Sequence, residues 1–339
     1  MKYIQAQRGI MSMISRERME NGSKIPDEET LTKALGVSII TTRRALKELS
    51  NLGLIERVQG RGTFVRKELA RETSSGILGL LLISGTELKN DHISAYGTLI
   101  AQFQEECGKH GYDLKVFLME KTFPGIEIRE LAGLCGAFVS GIVDDDCVAC
   151  LKSMNLPFVV VGESIATIPV TVVSYDWKTA TKMLVSRLIS RGCKRIAFLN
   201  GSQNYPPSVK CYEGYREAVS ECNLPFYDSW VAWCPRTEYK NKFTEFFTRH
   251  ADTEFDAIIA EEGLFPQFMS FLYDNALLYN RRVPIGIISV NQQVIKSSCF
   301  INVDFPELIT KYSMEELLHD LTTSGNKTRS ILLKPQFIE

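Results

Sequence analysis

The chain has 339 residues, 45% of them hydrophobic, with 39 Lys and Arg against 40 Asp and Glu. That length supports a sizeable core spread over two or three domains. The net charge of −1 hides an asymmetry: residues 1–71 sum to +6 and residues 72–339 to −7, as expected where one segment touches phosphates and the remainder is kept off nucleic acid.

Met1-Lys2-Tyr3 leads straight into a polar amphipathic helix over Tyr3 to Glu20, so no secretory leader is expected. Ile4, Ile10, Met11, Met13 and Ile14 form its inner face, a scaffold role. A short helix follows from Asp27 to Leu35, with Asp27 as N-cap, acids in the first turn, and Leu31, Ala34 and Leu35 on one face. Gly36 ends it, as a residue free to take positive φ does. Ser38 then caps a helix running to about Asn51, whose Ala45, Leu46, Leu49 and Leu52 face a core. Two short helices joined by a tight Gly-containing turn make a helix-turn-helix, whose second helix enters a major groove. Leu54 to Val58 and Thr63 to Val65 are β-rich and flank Gln59-Gly60-Arg61-Gly62, a hairpin wing carrying one cation.

These residues carry a resemblance. P-x-E-x-x-L, L-G-V-S, R-x-A-L-x-x-L-x-x-x-G-L-I and G-R-G-T-F-V, in that order over about the first seventy residues, resemble the DNA-binding domain of GntR-family transcriptional regulators. The family's usual Arg after the Ser of the recognition helix is Ile39 here, and Glu29 stands where members often carry a base-contacting Arg. The resemblance therefore implies the winged fold and a double-stranded DNA operator, but not the family's usual operator sequence. Arg43, Arg44 and Lys47 offer charge to phosphates or guanines, and Ser38, Thr41 and Thr42 are hydroxyl donors near the helix start. Arg44 has an alternative partner in Glu48 at i+4. On the wing, Gln59 and Gly60 accompany Arg61, which is expected at the minor groove or the backbone.

The winged domain is placed at residues 1–66, a charged then small and polar linker at 67–75, long enough to let the head reorient, and the body at 76–339. From Ile77 the pattern becomes strand, loop, helix, repeated. Ile77 to Ile83, Gly136 to Val139, Phe158 to Val161, Ala257 to Ala260 and Pro284 to Val290 are apolar runs of strand length, as strands covered on both faces should be. Helices are expected at His92 to His110, Val148 to Met154, Trp177 to Arg191, Cys211 to Cys222, Tyr239 to Arg249, Phe265 to Asn275 and Pro306 to Leu321. This alternation predicts an α/β body of parallel sheets, and the number of strands predicts two Rossmann-like lobes: the first over about 76–192 and 304–324, the second over about 193–303 and 325–339. No apolar run is long enough to cross a bilayer. Nine cysteines, an odd number spread widely, do not make a disulfide framework, so a reducing cytoplasm is expected. Cys147-x-x-Cys150 has no second pair at zinc spacing and reads as buried or incidental.

The body carries a second resemblance. G-I-L-G-L-L-L-I-S, P-F-V-V-V-G, V-S-Y-D-W, L-I-S-R-G-C-K-R-I-A-F-L-N-G, E-G-Y-R-E-A and V-P-I-G-I-I-S-V-N, over about residues 76 to 335, resemble the type I periplasmic-binding-protein-like sensor of lactose/galactose-repressor regulators. A GntR-type head on such a body resembles arabinose-repressor-like regulators. The resemblance implies a regulator, a repressor in its usual form, that works as a homodimer and binds a small polar, carbohydrate-type effector between its lobes. Ligands in such sheets bind beyond the carboxyl ends of the strands, where Ser84, Asp176, Trp177, Glu261 and Asn291 fall. Trp177 can stack on a sugar ring, and Asp176 either accepts its hydroxyls or only caps the helix starting there. The family's sensing Arg is Cys211 here, its strand-ending Asp is Asn291, and the Asn or Asp of the preceding strand loop is Glu261. An α/β enzyme and an exported solute-binding protein are the rival classes. The first lacks G-x-G-x-x-G, a P-loop and G-x-S-x-G, and the second lacks a leader. No motif asks for a cofactor, a metal or a membrane.

Overall fold

This computed structural model describes residues 2–17, 19, 21–51, 53–66, 76–84, 92–120, 131, 133–235, 238–252, 255–261, 264–275, 283–290, 300–306, 308–322 and 328–338. The head opens with α1 (Lys2–Arg16), α2 (Glu28–Leu35) and α3 (Ile39–Asn51). Asp27 caps α2 by accepting from the Thr30 N–H at 2.8 Å, and Gly36 ends it at φ 62°, a left-handed conformation costly for a residue with a Cβ. Ser38 Oγ accepts from the Thr41 N–H at 3.2 Å and so starts α3. Ile10, Met11 and Ile14 of α1 are buried together with Leu31, Ala45, Leu46 and Leu49. The wing pairs β1 (Ile55–Val58) antiparallel to β2 (Gly62–Val65), with Val58 opposite Gly62. Ser23 to Ile25 adds a further rung along β2: the Ile25 N–H donates to the Thr63 carbonyl at 2.9 Å, and the Val65 N–H to the Ser23 carbonyl at 2.8 Å.

The body runs β3 (Ile77–Ser84), α4 (His92–Lys109), β4 (Asp113–Glu120), β5 (Gly136–Gly141), α5 (Asp145–Ser153), β6 (Phe158–Val161), β7 (Val172–Tyr175), α6 (Trp177–Ser190), β8 (Ile196–Asn200), α7 (Pro206–Glu221), β9 (Val231–Trp233), α8 (Tyr239–Arg249), β10 (Ala257–Ala260), α9 (Phe265–Asp274), β11 (Ile285–Val290), β12 (Phe300–Phe305), α10 (Ile309–Thr322), β13 (Ser330–Leu333) and β14 (Gln336–Ile338). Two six-stranded sheets result, in the orders β13-β7-β6-β5-β3-β4 and β14-β12-β11-β10-β8-β9. Their core strands pair in parallel, and β14 closes the second sheet antiparallel to β12. Full burial of β6 and β10 accounts for their unbroken apolar runs.

Chain packing divides the protein into two compact units, the head with most of the first sheet in one, and the second sheet with most of β13 in the other. The first passage lies between Val173 and Ser174 rather than after residue 192, because α6 packs on α7 and against β11 and β12. The return is at Thr310 rather than 304, since β12, a strand not expected from the sequence, belongs to the second sheet. β13 pairs beside β7 at the edge of the first sheet, while Ile331–Glu339 fall in the second unit. The expectation of a freely reorienting head also changes. α1 packs against α5 as well as α3, and one buried apolar cluster takes in Ile10 and Met11 of the head with Val148 and Leu151 of α5. Cys147 and Cys150 are buried on α5, and burial pushes the Cys147 thiol above its ordinary value.

Candidate nucleic-acid interface and effector site

The exposed face of α3 carries Ile40, Arg43, Arg44 and Lys47, which helical spacing puts on one stripe. Two of its cations, Arg43 and Arg44, are held in place. Glu28 Oε2 accepts from Arg43 Nε at 2.6 Å, and Glu28 Oε1 accepts from an Arg57 guanidinium nitrogen at 2.6 Å. One carboxylate of α2 thus ties the second helix of the helix-turn-helix to the wing. The Arg44 guanidinium lies 4.1 Å from the centre of the Tyr3 ring, a cation–π contact. Ser38 and Thr41 are hydrogen-bonded to one another at 2.8 Å near the start of α3. Gln59, Gly60 and Arg61 are exposed at the wing tip, where the Arg61 N–H closes on the Val58 carbonyl at 3.0 Å and Gly60 takes φ 73°.

Thr42 does not belong to this surface. It is fully buried, with its hydroxyl 2.9 Å from that of Thr32. Thr32 gives its proton to the Glu28 carbonyl at 2.6 Å, and the Thr42 hydroxyl faces both the Thr32 oxygen and the Ser38 carbonyl, the latter at 3.3 Å. The relay pins α3 to α2 across the turn. Thr42→Val is therefore expected to keep operator affinity within about twofold while lowering head stability by about 1 kcal/mol. Melting and gel-shift measurements on that variant check it, and a large affinity loss at unchanged stability would return Thr42 to the reading surface.

In the body, Asp176 and Trp177 follow β7. The Asp176 carboxylate caps α6 by accepting from the Thr179 N–H at 3.1 Å, and it accepts from Lys334 Nζ at 3.0 Å. Burial pushes this carboxyl up, but the bonds from Thr179 and Lys334 outweigh it and hold Asp176 below its ordinary value. Trp177 packs edge-on against Tyr175 and Phe305, with ring centres 5.5 and 5.3 Å away. Phe305 was missed from sequence because its strand was. Glu261 follows β10 and is buried, its N–H donating to the Leu199 carbonyl at 3.0 Å. A Cβ on Gly201 would come within 2.9 Å of the Glu261 carboxylate and 2.3 Å of Ser208 Oγ, so these three residues converge beyond the ends of β8 and β10. Cys211 is fully buried on α7 and offers no surface to a ligand in this conformation. Ser84 ends β3, and Asn291 lies outside the described residues. Among the described residues no group of three or more His, Cys, Asp or Glu could hold a metal ion, and no helix is long and apolar enough to cross a membrane.

Residues 2–65 match the family model described as bacterial regulatory proteins, gntR family. Residues 85–264 match the model of periplasmic binding proteins and the sugar binding domain of the LacI family, which covers more than half of the chain. The chain belongs to this LacI-type family. The chain is 22% identical over 262 residues to an arabinose metabolism transcriptional repressor of Geobacillus stearothermophilus, spanning 72% of this chain and 70% of that one. Catabolite control protein A of Priestia megaterium is 34% identical over 95 residues, 28% of this chain and 29% of its own length. The regulator SmoD of Agrobacterium fabrum is 31% identical over 83 residues, 24% of this chain and 36% of its own. In fold, the transcriptional regulator CelR in complex with cellobiose covers 93% of this chain and 99% of its own at TM-score 0.64 and 18% identity. The relatives are transcriptional regulators, and a GntR-type head on a LacI-type body makes this chain a DNA-binding regulator of transcription.

Proposed function

We propose that the chain is a cytoplasmic transcriptional repressor, not an enzyme. Its homodimer grips a palindromic operator with an affinity set by a sugar or sugar derivative bound to the body. The observation that carries this reading is the cationic stripe Arg43, Arg44 and Lys47 of a GntR-type head, its two arginines held by Glu28 and Tyr3, on a chain whose body is LacI-type. One winged domain makes few base contacts, so two heads at a fixed half-site separation supply the specificity. Asp176, Trp177 and Glu261 give the body an aromatic face and carboxylates suited to hydroxyl-rich ligands. The repressor named for arabinose metabolism and the cellobiose-bound regulator support a carbohydrate effector.

Ligand control requires different affinities for the effector in the DNA-bound and free states, typically about 1–3 kcal/mol of coupling. Gel shifts with duplexes from the protein's own genomic neighbourhood, with and without pentoses, hexoses and sugar acids, test this. One duplex is expected to bind with Kd on the order of 10⁻⁸ M or tighter. One sugar is expected to change that affinity by roughly 5- to 150-fold. A chain that holds no duplex, or holds one identically whatever compound is added, is not this regulator.

A further inference from the structure

Ile40 is 75% exposed, the most exposed large aliphatic side chain among the described residues. It sits in the first turn of α3, on the same stripe as Arg43, Arg44 and Lys47. An isoleucine left in water amid cations does nothing for the head's core, which Ala45, Leu46 and Leu49 fill from the opposite face. In helix-turn-helix docking, the N-terminal residues of the second helix approach base edges. The major groove presents one apolar group to such a residue, the 5-methyl of thymine. A β-branched side chain in a helix is nearly fixed at χ1, so the methyl groups of Ile40 are aimed before DNA arrives. The neighbouring Ser38 and Thr41 hydroxyls bond each other at 2.8 Å, and Ile40 is the exposed apolar side chain beside them, Ile39 being half-buried.

We infer that Ile40 is a specificity-determining residue that packs on the 5-methyl group of one thymine in each operator half-site. This rests on the reading of the head as a DNA-binding domain. The test uses a duplex the full-length protein binds, with each thymine replaced in turn by deoxyuridine, which removes the methyl and keeps the pairing edge. Wild-type protein is expected to lose about fourfold affinity per half-site at one position, the equivalent of one buried methyl. Ile40→Ala is expected to bind the parent duplex more weakly and to lose nothing further from uracil at that position. Binding indifferent to uracil everywhere, or equal uracil sensitivity in wild type and Ile40→Ala, overturns the methyl contact and leaves the regulator reading standing. Failure of the wild-type protein to hold any duplex removes both.

Discussion

Arg43→Ala is expected to weaken operator binding by roughly 5- to 150-fold, the 1–3 kcal/mol carried by an arginine at a base edge. The side chain is 63% exposed on α3, yet Glu28 holds its Nε at 2.6 Å. One of five guanidinium donors is thereby spent, and four remain to reach a guanine or a phosphate. Anchoring one edge of the guanidinium reduces the rotamer entropy lost on binding, so the residue arrives oriented. Removing it also leaves the Glu28 carboxylate with Arg57 as its remaining ion-pair partner among the described residues, beside a polyanion. Both effects act in the same direction. The loss of an exposed ion pair takes only about 0.2–1 kcal/mol from the fold, so melting of the variant should stay close to that of the parent. Gel shifts at fixed salt, paired with thermal melting, separate the two contributions. Unchanged affinity would dismiss Arg43 as a reader of DNA, and a collapse of the melt would reassign it to the scaffold.

Features that depend on neighbours a few residues away were legible without coordinates. Asp27, Gly36 and Ser38 act over one to three positions, and each does what its chemistry dictates at a helix end. The Glu28 clamp was not legible, because its two arginines lie 15 and 29 residues along the chain. Thr42 reads in sequence as a groove residue because a hydroxyl near a helix start looks polar. Only the approach of Thr32, ten residues earlier, turns it inward. β12 escaped for a related reason. A doubly covered strand is expected to be a continuous apolar run, but Asn302 and Asp304 interrupt this one and are nonetheless buried. The Ser289 hydroxyl donates to the Asp304 carboxylate at 3.1 Å, which lets a polar residue sit there. At α7 the sequence was read too late, from Cys211, although Pro206 and Pro207 occupy first-turn positions where proline is well suited. Cys211 then falls on the inner face as a small apolar side chain, where the family's sensing arginine would stand. Asp176 and Glu261, at the ends of β7 and β10, are buried carboxylates.

Gly214→Ala is expected to destabilise the second unit by about 1–3 kcal/mol, the scale of an overpacked core. Alanine ordinarily improves a helix interior by about 0.5–1 kcal/mol over glycine. At this position sterics reverse the sign. A Cβ on Gly214 would lie 2.3 Å from the Lys178 carbonyl oxygen and 3.0 and 3.1 Å from its carbonyl carbon and Cα. These are backbone atoms of α6, so no rotamer change relieves the contact. α6 and α7 would have to move apart at their crossing. That movement would stretch Lys178–Glu217 and Lys182–Glu221, both 2.6 Å pairs across the same helices. It would also pull on Tyr215, whose buried hydroxyl donates to the Ile196 carbonyl of β8 at 2.8 Å. Gly97 is the matched control: it lies inside α4, is exposed, and an added Cβ there meets nothing within 4 Å. Gly97→Ala should therefore melt at or slightly above the parent, and Gly214→Ala several degrees below it. Equal melting of the two variants would mean that the close approach of α6 and α7 is not what glycine at 214 is there to permit.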